Sequence, residues 1–414
     1  MAAITDHITM LAHELTDGTK LPFDFARETL KLCALAALGQ NPNRPRLPWF
    51  DKLHTRQYLI LVGDPSIGKG ETMYRIKRTI EKSLAEGLPW PVRFLRGDSL
   101  GSPQYAVTEF GGTIERVGKP TVVPSIPVEI DRSEYGRIVV YDEGRALAEK
   151  DSTGGAGRGL VTMFTALYEE NGIATGSFKN GKASVEQADV SLILHFTPQG
   201  FDATFTGTGV TTGGFLSRCT IIRKEPTTFT RLWRTVESTK VRELVAKIME
   251  DCKRTELPQD EGVEIVRQRV ALELDKADKH RAARLLPLFV QDCYARAMFS
   301  EEGRLTVEIA NAAEDWTIAQ LRARAETWPL DGSSDRNERL HMAISQAFKN
   351  ASKKWDNHLS LRDLKQAVNL HRQGSGGPGA FMYCLKNMIA AREIEPAGEN
   401  ARGYPLFRWI GDAE

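Results

Sequence analysis

Cysteine is scarce and scattered in this chain. The five thiols, Cys33, Cys219, Cys252, Cys293 and Cys384, form no CxxC pair. That spacing excludes an ordinary zinc site, and an odd, dispersed set fits reduced thiols in a cytosol-like compartment better than a disulfide framework. An excess of one charge is also lacking: 55 lysines and arginines against 54 acids leave a formal net charge of +1. Any polyanion site must therefore come from a local cluster. There is no long hydrophobic run, since the longest early one, around Leu32 to Leu38, is far too short for a bilayer. Asp6 stands where a secretion signal would be apolar. The expectation is a cytoplasmic protein with no membrane partner. Internal repeats are absent, and GSGGPG and TGTGVTTGG are too brief to be low-complexity domains. What remains is an ordinary globular composition, 41% hydrophobic and 26% charged over 414 residues, with room for several domains.

Apolar residues at three- and four-residue spacing in FARETLKLCALAALG predict helix within about residues 5–45, before the prolines of NPNRPRLPW break the pattern. From Gln57 the texture changes to β-rich runs: QYLILVG, PTVVPSIPVEI, RIVVYDE and VSLILHFTP. Helical stretches such as MYRIKRTIEKSLAEG and LVTMFTALYEENG interleave with them. Alternation of this kind predicts an α/β fold with a largely parallel sheet. Residues 229–326 read as wholly helical, and WPLDGSSDRN reads as a linker. Three amphipathic segments and two short apolar pieces, EIEP and PLFRWI, then suggest a winged helix. The expected organisation is an N-terminal helical region (1–50), a P-loop ATPase core (51–226), a helical lid or bundle (227–330) and a winged-helix DNA-binding domain (331–414).

The chemistry starts at Gly63-Asp64-Pro65-Ser66-Ile67-Gly68-Lys69, a G-x-x-x-x-G-K run between an apolar strand and a helical segment. Glycines there let backbone N–H groups wrap a phosphate, the helix N-terminus adds its dipole, and Lys69 supplies a point charge for the β- and γ-phosphates. The expected nucleotide-binding stretch continues through Gly70, Glu71 and Thr72. Gly70 departs from the motif, which calls for Ser or Thr to ligate magnesium. Thr72 is about 200° further around the helix and does not simply replace that hydroxyl. Adenylate kinases resemble this loop in having glycine after the lysine, so ATP remains the expected ligand, with Mg2+ affinity and turnover in question. In RIVVYDE a mostly β-branched strand delivers two adjacent carboxylates. Asp142 is the candidate magnesium ligand and Glu143 the group that polarises an attacking water.

Taken in order, GDPSIGKG, VVYDEG, LILHFTPQ and GGFLSR resemble the helicase-like ATPase domains of plasmid, phage and satellite replication proteins. Those are relatives of superfamily III helicases within the wider AAA+ class. The resemblance covers about residues 20–325, and Gly-Phe-Leu-Ser-Arg is its most specific part. It implies that a polar residue at the end of the third quoted strand contacts the γ-phosphate or the attacking water. Thr197 is the first choice, with Gln199 and His195 as alternatives. It implies that Arg218 projects into a neighbouring subunit's site and stabilises transition-state charge. It also implies a pore hairpin that grips DNA, here around Asn180–Gly181, with Phe178, Lys179 and Lys182 near its tip. Members are often fused to a primase, which has no room before residue 50 and is expected to be separate or absent.

Residues 336–414 carry twelve lysines and arginines against eight acids, a modestly basic module. A winged helix would place its third helix, with Lys386 and Arg392, on DNA, with Arg402 and Arg408 in or near the wing. Arg372, beside GSGGPG, is a further candidate for a phosphate contact. The functional expectation is an ATP-dependent DNA helicase or translocase of a mobile genetic element, working as a hexameric ring in DNA replication. Two alternatives stand beside it: a nucleotide-switched DNA-binding initiator or helicase loader, and a small-molecule kinase suggested by Gly68-Lys69-Gly70.

Overall fold

The computed structural model describes residues 6–19, 21–46, 55–88, 90–110, 113–116, 136–147, 159–168, 173–178, 181–186, 188–205, 214–224, 239–277, 282–327, 336–351, 358–367, 377–390, 393–400 and 403–410. The expected strand PTVVPSIPVEI and the candidates Lys179, Arg372, Arg392 and Arg402 lie outside these residues.

Two helices come first, α1 (His7–Thr16) and α2 (Phe23–Leu38). The strands β1 (Tyr58–Val62), β2 (Val92–Arg96), β4 (Gly136–Tyr141), β7 (Val190–Phe196) and β8 (Cys219–Arg223) form one sheet in the order β2-β4-β7-β1-β8. All four pairings in it are parallel. Helix α3 (Lys69–Ala85) follows β1, α4 (Pro103–Glu109) follows β2, α5 (Leu160–Leu167) follows β4, and α6 (Pro198–Phe205) follows β7. Every residue of β1 and β7 is buried. That is why both read as near-continuous apolar runs: strands covered on two faces have no solvent side to alternate with.

Alternation along β1 splits the two layers. Leu59 and Leu61 join a core with Ile67, Ile76 and Ile80, whereas Tyr58, Ile60 and Val62 join Phe164, Leu160 and Phe201 on the opposite face. A second, antiparallel sheet, β3-β6-β5, joins β3 (Thr113–Arg116), which precedes β4, to β5 (Ile173–Phe178) and β6 (Gly181–Glu186), which lie between β4 and β7. Phe178 pairs with Gly181. The two residues left between them are therefore 179 and 180, one position earlier than the expected Asn180–Gly181 turn.

The N-terminal helices share the first core with the sheet and with residues Val241 to Ala313. Helix α2 is buried along almost its whole length, including Arg27, Glu28 and Lys31. Glu28 pairs with both cations, Arg27 and, at 2.5 Å, Lys31, and Asp292 adds a second carboxylate: Lys31 donates to it at 2.8 Å and Arg27 lies 3.7 Å away. Arg296 adds a bond to the same carboxylate at 2.6 Å, and Lys31 also stands over the Trp316 ring. Burial alone would raise the Asp292 pKa, but Arg296, Lys31 and Arg27 override it and hold the carboxyl below the usual range.

The following segment is helical as expected: α7 (Thr239–Asp251), α8 (Val263–Lys276), α9 (Leu285–Met298) and α10 (Val307–Thr327). An isolated bridge, Gln259 with Leu305, is its extended contact. Helix α10 covers the sheet edge at β8. The Gln320 amide accepts from the Ile221 N–H at 3.0 Å and donates to the Ile221 carbonyl at 3.1 Å, completing an edge that would otherwise stand open.

The C-terminal part has its own core, built on Ile344, Phe348, Leu364, Phe381, Leu385 and Ile394. Its elements are α11 (Arg336–Ala351), β9 (His358–Ser360), α12 (Leu361–Ala367), α13 (Gly377–Ala390), β10 (Ile394–Glu399) and β11 (Pro405–Trp409). The strands form an antiparallel sheet in the order β10-β11-β9. No helix among the described residues is long and apolar enough to cross a membrane.

Candidate functional site

A cleft of about 460 Å³ opens at the C-terminal ends of the parallel strands. This is where open α/β sheets bind ligands, because the loops leaving the strands diverge there. Its wall combines Lys69, Gly70, Met73, Tyr74 and Lys77 of α3 with Phe94, Leu95 and Arg96 of β2. Val140 and Asp142 from the β4 end and His195 from the β7 end complete it.

The loop from β1 to α3 enters this cleft with unusual backbone geometry. Gly68 is left-handed, at φ 96°, immediately before the first helical residue, Lys69. Ser66 is left-handed as well, at φ 74°, a conformation costing a non-glycine residue about 1–3 kcal/mol. Left- and right-handed residues in succession gather N–H groups into a concavity suited to an anion. Gly63 is needed for closeness: a Cβ there would meet Ile67 Cγ2 at 2.9 Å. Lys69 folds its ammonium back over the loop, donating to the carbonyls of Gly63 and, at 3.0 Å, of Asp64. Two such bonds leave the third ammonium hydrogen for a ligand. Burial lowers the Lys69 pKa, and the Asp64 carboxylate opposes that shift.

The remaining residues of the expected nucleotide stretch divide. Pro65 and Ser66 are exposed at the loop's crest, and Ile67 is buried beneath it. Gly70 faces open space, with no atom within 4 Å of where a Cβ would stand. Glu71 is engaged by Arg75 one turn on, at 3.1 Å. Thr72 is buried, gives its N–H to the Gly68 carbonyl, and does not line the cleft. The half-turn offset expected from the helix period is what the structure has.

Two backbone bonds from the end of β7 assemble the rest. The Phe196 carbonyl accepts the Gly63 N–H at 3.1 Å, and the His195 carbonyl accepts the Gly144 N–H at 2.7 Å. One strand end thus fixes both the start of the loop and the acidic turn after β4. Asp142 lies in the cleft wall, largely exposed, whereas Glu143 is exposed and lies outside that wall. His195 sits between Lys69 and Asp142, only 3% exposed, with Nδ1 3.9 Å from Asp142 Oδ1. Its Nε2 is buried without a hydrogen-bond partner among the described residues. Burial drives the His195 pKa down to about 4; Asp142 pulls it up and Lys69 pushes it down further.

Thr197, the first choice for the strand-end contact, caps α6 instead. Its hydroxyl accepts the Gly200 N–H at 3.0 Å and its carbonyl accepts from Phe201. Gln199 is exposed in the first turn of the same helix. Of the three alternatives, only His195 reaches the cleft.

Arg218 ends a short 3-10 turn before β8 and donates to the Gly214 carbonyl at 2.6 Å, so its guanidinium closes its own loop. Arg324 of α10 holds the same turn from behind through the carbonyls of Ser217 and Cys219, at 2.9 and 3.2 Å. The backbones of Phe178 and Lys182 belong to the β5–β6 hairpin, away from the parallel sheet's pairings. Lys386 is exposed on α13, and Arg408 is exposed on β11, paired with Glu395.

Tyr74, Lys77 and Arg96 were not among the expected site residues. A signal for two of them is the period-3.6 stripe 70, 73, 74, 77 that follows Lys69 along α3; Arg96 depends on which strand lies opposite.

The donor set bears on magnesium. Asp142 is an accessible carboxylate in the cleft, Gly70 brings no side-chain oxygen, and Thr72 is buried outside the cleft wall. One carboxylate together with substrate phosphates and water is an ordinary magnesium environment, so the residues fit the ion. No protein-family model matches the chain, and no curated protein matches it.

Proposed function

We propose that this chain is an ATP-hydrolysing motor that works on DNA as a ring-shaped oligomer, most simply a hexamer. The observation that carries the ATPase part is the convergence of Lys69, Asp142 and His195 on one cleft at the end of a parallel sheet. In this reading the loop 63–69 is a P-loop. Its N–H groups and the α3 N-terminus bind the triphosphate, and Lys69 neutralises the β- and γ-phosphates. Asp142 would hold Mg2+, which when bound supplies charge neutralisation on the terminal phosphates. Such chemistry needs mainly positioning and electrostatic stabilisation, which a rigid strand end provides.

The DNA part rests on the resemblance of GDPSIGKG, VVYDEG, LILHFTPQ and GGFLSR to replication ATPases of mobile elements. Arg218 is proposed to act on a neighbouring subunit's nucleotide. The hairpin carrying Phe178, Lys179 and Lys182 is proposed to contact single-stranded or forked DNA. The C-terminal module, three helices with a terminal β-hairpin, is read as a winged helix with Lys386 and Arg392 toward the major groove and Arg402 and Arg408 toward the backbone. A primase would be a separate partner.

A second reading is favoured by one observation. Gly70 offers no hydroxyl to magnesium, and slow turnover would suit a nucleotide-switched initiator or helicase loader with little unwinding of its own. The two readings separate in one experiment: ATP hydrolysis with and without single-stranded DNA, together with strand separation of a forked duplex. A motor hydrolyses faster on DNA and unwinds the fork. A switch binds ATP and DNA but leaves the fork closed.

A further inference from the structure

The cleft continues past the loop that precedes α3. Its wall follows that helix through Tyr74 to Lys77, which stands about two turns, or about 12 Å, beyond Lys69. The Lys69 ammonium is tied back to the carbonyls of Gly63 and Asp64, so Lys77 serves a different part of the cavity. Arg96 joins the same wall from the end of β2, the strand at one edge of the sheet. Besides His195, the ionisable side chains of that wall are three cations, Lys69, Lys77 and Arg96, the Tyr74 phenol and one acid, Asp142.

The fold makes little use of the two outer cations. Lys77 approaches Glu81 at 3.7 Å, an exposed pair of the kind that contributes little to stability. Among the described residues the Arg96 guanidinium makes no hydrogen bond or ion pair. Its backbone, by contrast, is fixed. Arg96 pairs with Val140 in the sheet, and its carbonyl accepts the Ser99 hydroxyl at 2.7 Å. At Gly97, the next residue, a Cβ would stand 2.3 Å from the Tyr141 ring, so the end of β2 sits close against the end of β4. A held backbone with an unengaged guanidinium is a donor fork set in advance for a planar or tetrahedral oxyanion. Beside it the Tyr74 ring is 56% exposed in the cleft wall.

We propose that Arg96 and Lys77 hold a second phosphate group, separate from those at the loop; from the ATPase reading this takes only the place of the nucleotide. Guanidinium and ammonium supply the charge-assisted hydrogen bonds that recognise phosphate. Two sources share that chemistry: the inorganic phosphate freed by hydrolysis, and a backbone phosphate of a single DNA strand whose base stacks on Tyr74. The first would delay release of the product. The second would bring DNA into the cavity where ATP is cleaved.

The test begins with the loop saturated by a non-hydrolysable ATP analogue and Mg2+. Inorganic phosphate is then titrated and followed by phosphorus NMR, and a short fluorescent oligothymidylate is titrated separately and followed by anisotropy. Arg96→Ala, Lys77→Ala, the double variant and Tyr74→Leu alter exposed side chains, so melting temperatures should match wild type. Their affinity for the analogue should stay within about twofold. Each charge variant should weaken binding of the second phosphate about tenfold. That loss for inorganic phosphate, with Tyr74→Leu unaffected, identifies the hydrolysis product as the ligand. The same loss for the oligonucleotide, shared by Tyr74→Leu, identifies a DNA strand. If neither ligand binds, or both bind the double variant as tightly as wild type, the proposal is overturned. A wild-type chain that does not take up the analogue overturns the ATPase reading alone. Phosphate titrated into Lys69→Ala, with and without the double substitution, then decides the subsite by the same comparison.

Discussion

The His195 carbonyl and the Gly144 amide are joined by a 2.7 Å hydrogen bond, which ties the end of β7 to the acidic turn after β4. Because the next carbonyl, that of Phe196, holds Gly63, the loop and the acidic turn cannot shift independently. Rigid relative placement of this kind is what phosphoryl-transfer chemistry requires of a protein, since misplacement by about 1 Å can cost 10²-fold in rate.

That tie makes Gly144 a sensitive position. A Cβ there would stand 2.2 Å from the Phe196 ring, which is itself buried against Phe201 and Phe205. Gly144→Ala should displace the turn and destabilise the fold by about 1–3 kcal/mol, the usual range for overpacking. Chemical denaturation measures the stability term. Hydrolysis assayed well below the melting temperature should drop by about 10²-fold.

Gly70 predicts the opposite sign. Its Cβ position is open, and a serine in the first turn of α3 should be accommodated and gain about 0.5 kcal/mol of helix propensity over glycine. Gly70→Ser also restores a hydroxyl where magnesium ligation is expected. Calorimetric titration should show tighter ATP binding in Mg2+ but no change in EDTA.

Much of this site was legible in the chain. β1 and β7 are buried on both faces, so each is written as a continuous apolar run, and the residues that follow them, Gly63 and Thr197, mark where the strands end. Lys69 and Asp142 were readable from spacing to those runs. The choice among His195, Thr197 and Gln199 was not, because it depends on which hydroxyl a following helix takes for its cap. Thr197 is an N-cap by chemistry that residue type alone cannot distinguish from a ligand contact. Arg27, Glu28 and Lys31 were equally opaque: a helix carrying them reads as half-solvated until the two cations are seen to share Glu28 and Asp292, the latter some 260 residues away.

Arg218 donates to the Gly214 carbonyl in this structure, and Arg324 grips the carbonyls on either side of it. If Arg218 acts across a subunit boundary, Arg218→Ala should reduce hydrolysis by about 10³-fold and leave nucleotide affinity intact. Mixing Arg218→Ala with Lys69→Ala subunits should then recover part of the activity, since each supplies what the other lacks. Absence of recovery would argue for action within one subunit.

Asp292 sets the acid limit of the fold. Its pKa is below that of the unfolded chain, so the stability it contributes is complete above the unfolded value near about 4 and is lost as pH falls below it. Asp292→Asn leaves Glu28 as the carboxylate still paired with the two buried cations Lys31 and Arg27 and should cost about 3–5 kcal/mol at pH 7. Urea unfolding between pH 7 and pH 3 should show wild-type stability falling toward that of the variant at the acid end.

The central claim is that the turn leading into α3 cradles a triphosphate. Titration of a non-hydrolysable ATP analogue into wild type and Lys69→Ala, followed by calorimetry, tests it without depending on DNA or ring assembly. Wild type should bind the analogue saturably, with one site per chain. Lys69→Ala should bind about 10²-fold more weakly, because it has no ammonium to donate a charge-assisted hydrogen bond to phosphate. No binding by wild type, or equal binding by a folded Lys69→Ala chain, would contradict it.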